Sequence, residues 1–123
     1  MNKAREAELL LREGLKNLPD HPALQFELGR IYFDNNHDPA RARNVWRHAA
    51  DTWQKVEASQ AEPDTFILNL ILTHLAKLEQ DAGNLSLALS YWEQAKVHSR
   101  KPDAIQERID ELRRKQSPSH LPP

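Results

Sequence analysis

Six histidines, at positions 21, 37, 48, 74, 98 and 120, are the side chains with the most chemistry to offer in this sequence. A helical zinc site wants two of them four residues apart on one face, with a third ligand in reach. No pair has that spacing, and no carboxylate joins two of them at ligand spacing. They are expected as surface or partly buried helix residues. There is no cysteine, which removes disulfides, thiolate metal sites and a thiol nucleophile together. The chain contains no Gly-x-Ser-x-Gly, no Gly-rich phosphate loop and no His-Glu-x-x-His. Acidic pairs such as Asp110-Glu111 sit among Arg108, Arg113, Arg114 and Lys115, the pattern of a solvated, salt-bridged helix face. The expectation is a protein that is not an enzyme and carries no cofactor and no metal.

Charge excludes a second class. Seventeen basic and eighteen acidic residues leave a net charge of −1, whereas a nucleic-acid binder shows a basic excess. Residues 96–116 hold seven Lys/Arg against four Asp/Glu, but no aromatic side chain is interleaved for base stacking. No nucleic-acid partner is expected. Nor is a membrane one: the most apolar run, residues 66–78, is too short to span a bilayer and carries Asn69, His74 and Lys77. Leu9-Leu10-Leu11 is too short for the core of a signal peptide. A cytoplasmic location is expected.

The elements that position these residues read as helices throughout. One domain is expected over residues 1–116, and a disordered tail over 117–123, where Pro118, Pro122 and Pro123 forbid a helix. In residues 3–18, Ala4, Ala7, Leu11, Gly14, Leu15 and Leu18 follow one buried stripe. Pro22 opens a second helix to Asp34, with Gly29 inside it where a neighbouring helix crosses closely. Asn35-Asn36 suits a left-handed turn. Asp38-Pro39 caps a third helix carrying Ala42, Val45, Trp46, Ala49, Ala50, Trp53 and Val56. The Phe66 run makes a fourth, the most buried, ended by Gly83, with Asn84 capping a fifth that bears Ala88, Trp92 and Ala95. A sixth, over residues 103–115, buries Ile105, Ile109 and Leu112.

Three sets repeat the same spacing of four then three: Ala7-Leu11-Gly14, Ala42-Trp46-Ala49 and Ala88-Trp92-Ala95. Leu28-Gly29 and Tyr32 precede the second set, and Leu75-Ala76 precedes the third. This resembles the tetratricopeptide repeat, a helix-turn-helix unit of about 34 residues. The family pattern runs Leu-Gly, an aromatic, then Ala, an aromatic, Ala and Pro. The resemblance covers residues 4–102. It departs at Glu79, which stands where an aromatic belongs, and at one extra residue in the middle turn. The fold it implies is all-α: a short solenoid of antiparallel helix pairs, about six helices with a C-terminal capping helix.

In that family the first helix of each pair, helix A, lines a concave groove that holds a peptide. The resemblance therefore implies Phe26, Arg30 and Phe33 in the first such helix and Leu70, Thr73, Lys77 and Gln80 in the second as groove residues. Phe26 and Phe33 lie off the Leu24–Leu28–Ile31 stripe, and either groove exposure or packing under the first helix accounts for them. His74 occupies one of the positions at which members that bind acidic tails place asparagine, but the set is incomplete. A protein-binding scaffold is the function implied. The alternatives are a homodimer or other assembly through the outer face of the first helix, and a piece of a longer array.

The spacing adds a feature of its own. Ala42 to Ala88 is 46 residues, about twelve beyond the family period, and the excess lies between Ala49 and Leu75. Trp53, Val56, Phe66 and Ile67 make that excess apolar. The third and fourth helices are each expected to run on by roughly one and a half to two turns as a projecting hairpin, with Trp53 facing the Phe66–Leu70 side.

Overall fold

Short polar side chains and prolines start the helices. Asn2, Asp38 and Asp64 each accept the backbone N–H three residues on, at 3.0–3.1 Å. His21 does the same through Nδ1 to the Leu24 amide, at 3.3 Å. Each thereby satisfies one of the amides that a helix start leaves without a partner. Pro22 and Pro39 occupy first-turn positions where no N–H is needed. The computed structural model describes residues 2–116, and the proposed tail at 117–123 lies outside the described residues. The chain is all-α: α1 (Lys3–Asn17), α2 (Pro22–Asp34), α3 (Pro39–Val56), α4 (Thr65–Asp81), α5 (Leu85–His98) and α6 (Pro102–Gln116).

Two turns differ from expectation in detail. The left-handed residue between α2 and α3 is His37, at φ 51°, and Asn35 is right-handed. Gly83 does take positive φ, at 85°, where an L side chain would be strained. Asn84 makes no side-chain cap for α5. Its amide donates instead to Glu79 Oε1 at 2.9 Å, across the turn.

Contacts divide the chain into two compact units, the first ending at Ile67 and the second beginning at Leu68. In the first, α1 packs on α2 and α2 on α3. Its core is Phe26, Leu28 and Tyr32 against Ala42, Trp46, Ala49 and Trp53. In the second, α5 packs on α6. Its core takes Leu68, Ile71, Leu72, Leu75, Ala76 and Leu78 from α4, Ala88, Trp92 and Ala95 from α5, and Ile105, Ile109 and Leu112 from α6. Asn69 Nδ2 donates to the His98 carbonyl at 3.1 Å and ties α4 to the end of α5.

Gly29 is needed where it stands. A β-carbon there would lie 2.3 Å from Trp46 Nε1. The indole N–H uses that space to donate to the Phe26 carbonyl at 3.0 Å. At the corresponding positions of the second unit are Ala76 and Trp92. Trp92 is equally buried, yet its Nε1 has no acceptor among the described residues. One methyl group in place of hydrogen is the sequence difference that accompanies the lost bond.

The stripe expected on α1 is only half-buried, and Leu18 at its end is exposed. The side chain α1 does bury is Glu8, which no spacing argument selected. It accepts from Arg12 Nε at 3.0 Å and from Asn36 Nδ2 at 3.4 Å. Arg12 also donates to the Tyr32 hydroxyl at 2.7 Å, while the Arg41 guanidinium stands 5.0 Å from the same ring's centre. A polar network, with its carboxylate fully engaged, thus closes this side of the first unit.

The twelve extra residues divide evenly. α3 is 18 residues and α4 is 17, against 13 for α2 and 14 for α5. Each long helix thus gains about one turn, less than expected. The rest sits in the connection at 57–64, four residues longer than the link between α1 and α2. Trp53 is buried and its indole donates to the Asp64 carbonyl at 2.7 Å, fastening the far end of that connection. Glu57 accepts from the Asp64 amide at 3.1 Å. Phe66, expected within this packing, is 72% exposed: it sits in the first turn of α4, off the buried side.

Candidate functional site

The buried residues of α4 occupy most of its circumference, from Ile67 to Glu79. What they leave is one stripe. Leu70, Thr73, Lys77 and Gln80 follow a spacing of three, four and three, so they share a face. Leu70, Thr73 and Gln80 are half-buried and Lys77 is exposed. The Leu70 carbonyl accepts from Thr73 Oγ1 at 3.2 Å and lies 2.7 Å from His74 Nδ1. A carbonyl only accepts, so Nδ1 carries the proton there. Among the described residues Lys77 forms no ion pair or hydrogen bond.

α2 is different. Phe26, implied as a groove residue, is 2% exposed and stacks on Trp46 with ring centres 6.2 Å apart. It is part of the core, because Trp46 on α3 needs an aromatic face and a carbonyl there, and Phe26 supplies both. Phe33 is half-buried and tilted against the same indole at 5.8 Å. Packing against Trp46 of α3 therefore accounts for both phenylalanines. Arg30 is exposed but engaged, 4.0 Å from Glu27 and 3.7 Å from Asp34 on its own helix. Pairs this exposed contribute little and exchange readily for a partner's carboxylate.

A cleft of about 300 Å³ in the first unit is rimmed by Asp20, His21, Glu57 and Asp64 over Pro22 and Val56. Among the described residues no three acidic or histidine side chains gather to hold a metal ion. No helix among them is long and apolar enough to cross a membrane. No protein-family profile, curated protein or solved structure matches this chain.

The spacing missed Glu8, Gln25, Thr52 and Glu79, all buried polar side chains. For Gln25 a signal existed: it sits one turn before Gly29, on the side of α2 that faces inward. Glu79 was visible only as a departure from the repeat pattern.

Proposed function

We propose that this chain is a non-enzymatic protein-binding scaffold of the tetratricopeptide type, which takes a peptide or protein segment along the accessible faces of its A helices. The observation that carries the reading is the α4 stripe. A helix buried around most of its surface keeps Leu70, Thr73, Lys77 and Gln80 accessible, and the Lys77 ammonium has no partner among the described residues. An apolar end beside a free cation suits a partner segment with an apolar side chain near a carboxylate. Arg30 on α2 supplies a second exposed cation. Two of the three repeated sets support the repeat assignment through the buried Ala42, Ala49, Ala88 and Ala95, all at 0% exposure.

The test is charge reversal. Arg30→Glu and Lys77→Glu, singly and together, are compared with wild type in quantitative affinity capture from cells, with Arg114→Glu on α6 as control. At least one captured polypeptide should fall about tenfold or more with Lys77→Glu and remain with Arg114→Glu. Unchanged capture by the double variant removes these faces from the function.

A second reading, self-assembly through α1, is favoured by one observation: Leu9 and Leu10 are 53% and 73% exposed on that helix. Light scattering decides it. A dimer that dissociates with Leu10→Glu supports assembly through α1, and a monomer at high micromolar concentration rejects it.

A further inference from the structure

The first unit has a second cleft that the scaffold reading does not use. It measures about 380 Å³ and opens between α1, α2 and α3, at the lower end of the range for small-ligand sites. Leu15, Pro19, Leu28 and Val45 make its walls apolar. Asn44 and His48, exposed one turn apart on α3, form its rim on that side. The surface of α3 is basic. Residues 39–56 hold Arg41, Arg43, Arg47 and Lys55 against Asp51 alone, four positive charges less one negative. Arg41 and Arg47 are exposed one turn before and one turn after Asn44. Arg47 has no partner among the described residues.

The same unit carries a group of matching character. Phe66 is 72% exposed in the first turn of α4, and every other aromatic side chain is buried or half-buried. At that exposure the ring fills no cleft of its own chain. It ends an acidic stretch: residues 57–66 hold Glu57, Glu62 and Asp64 and no Lys or Arg. An exposed ring on an acidic segment is complementary to an apolar cleft beside a basic rim.

We infer that two copies of this chain associate by seating Phe66 of one in the cleft between α1, α2 and α3 of the other, with the acidic connection at 57–64 against the basic surface of α3. Burial of the ring supplies the affinity and the opposite charges fix the orientation. A net charge of −1 on each copy sets little repulsion against the contact. The contact uses neither the α4 stripe nor Leu9 and Leu10 of α1, so it can fail without them and they without it.

The chain has no cysteine, so Ala61→Cys, at an exposed position of the connection, takes a single nitroxide label. Labelled full-length copies without ¹⁵N are mixed with unlabelled ¹⁵N copies, and the broadening of ¹⁵N amides by NMR then reports contacts between copies only. Broadening is expected at Leu15, Val45 and His48. Phe66→Ala in the labelled copies should weaken the association about tenfold or more; it removes an exposed side chain, and its own amide spectrum verifies the fold. Salt near 1 M, where screening acts over about 3 Å, should weaken it as well. Leu10→Glu should leave the broadening in place. No broadening at high micromolar concentration overturns the inference. So does broadening centred on α1 or elsewhere outside the cleft, and so does broadening that Phe66→Ala leaves unchanged.

Discussion

Gly29→Ala puts the central packing interaction of the first unit under test. In an exposed helix this change gains about 1 kcal/mol, because alanine is the better helix former. Here the new β-carbon would stand 2.3 Å from Trp46 Nε1 and 2.5 Å from Cδ1, so the ring has to move. Trp46 is 1% exposed, with Phe26 stacked on it and Phe33 tilted against it, which leaves it little room. Overpacking of this kind costs about 1–3 kcal/mol. Displacing the indole also breaks its 3.0 Å bond to the Phe26 carbonyl and strands a buried N–H, for about another 1–3 kcal/mol. The helix gain offsets part of this, and a net loss of about 2–3 kcal/mol is expected. Urea unfolding, monitored by circular dichroism, measures it. The cause is checked by the Trp46 indole proton, which should lose its downfield shift and its exchange protection. Trp46→Phe removes the N–H and narrows the ring, so Gly29→Ala should cost much less in that background. A Gly29→Ala protein as stable as wild type, with Trp46 Nε1 still protected, would refute the reasoning.

Other consequences are smaller. Tyr32→Phe removes only the hydroxyl that accepts from Arg12 and should cost about 1 kcal/mol in the same unfolding experiment; no loss would show that the bond is idle. His37→Gly should stabilise the α2–α3 turn by about 0.5–1 kcal/mol, because φ of 51° disfavours any side chain. His37→Val, with a branched β-carbon, should lower the melting temperature instead. Glu8→Ala should cost more than Glu13→Ala. The first leaves Arg12 and Asn36 without their buried acceptor, and the second breaks only an exposed 4.0 Å pair with Lys16. Equal losses would contradict the network.

The helix frame was legible because its signals are local. Pro22, Asp38-Pro39 and Gly83 act within one turn of where they stand, and the structure uses each of them. The Ala42-Trp46-Ala49 and Ala88-Trp92-Ala95 sets also read correctly as core, since a period of four and three places them on one face whatever packs there. Gly29 was legible as a close crossing for the same reason, although the identity of the crossing side chain was not.

What escaped depends on distant partners. Glu8 is buried because Asn36, 28 residues away, and Arg12 both reach it, and no period reports such a meeting. Phe66 has an apolar side chain at an accessible helix start. Composition placed it inward, but position decided otherwise. Phe26 belonged to the implied groove by its place in the repeat, and Trp46 claimed it for the core. Asn84 had the right type for a cap, but its side-chain NH₂ is committed to the buried Glu79 and its oxygen caps nothing. The site is the least legible part, since the exposure of Lys77 and the partial exposure of Leu70, Thr73 and Gln80 depend on what packs against the other faces of α4.

The proposed scaffold function turns on whether the α4 stripe touches another protein. A photo-reactive amino acid placed at position 77, and separately at 73, compared with position 114 on α6, reports this directly in living cells. The expected result is a light-dependent covalent adduct to a second polypeptide from positions 73 and 77, weak or absent from 114. Adducts from 114 alone, or none from the stripe when the protein is folded and expressed, would contradict it.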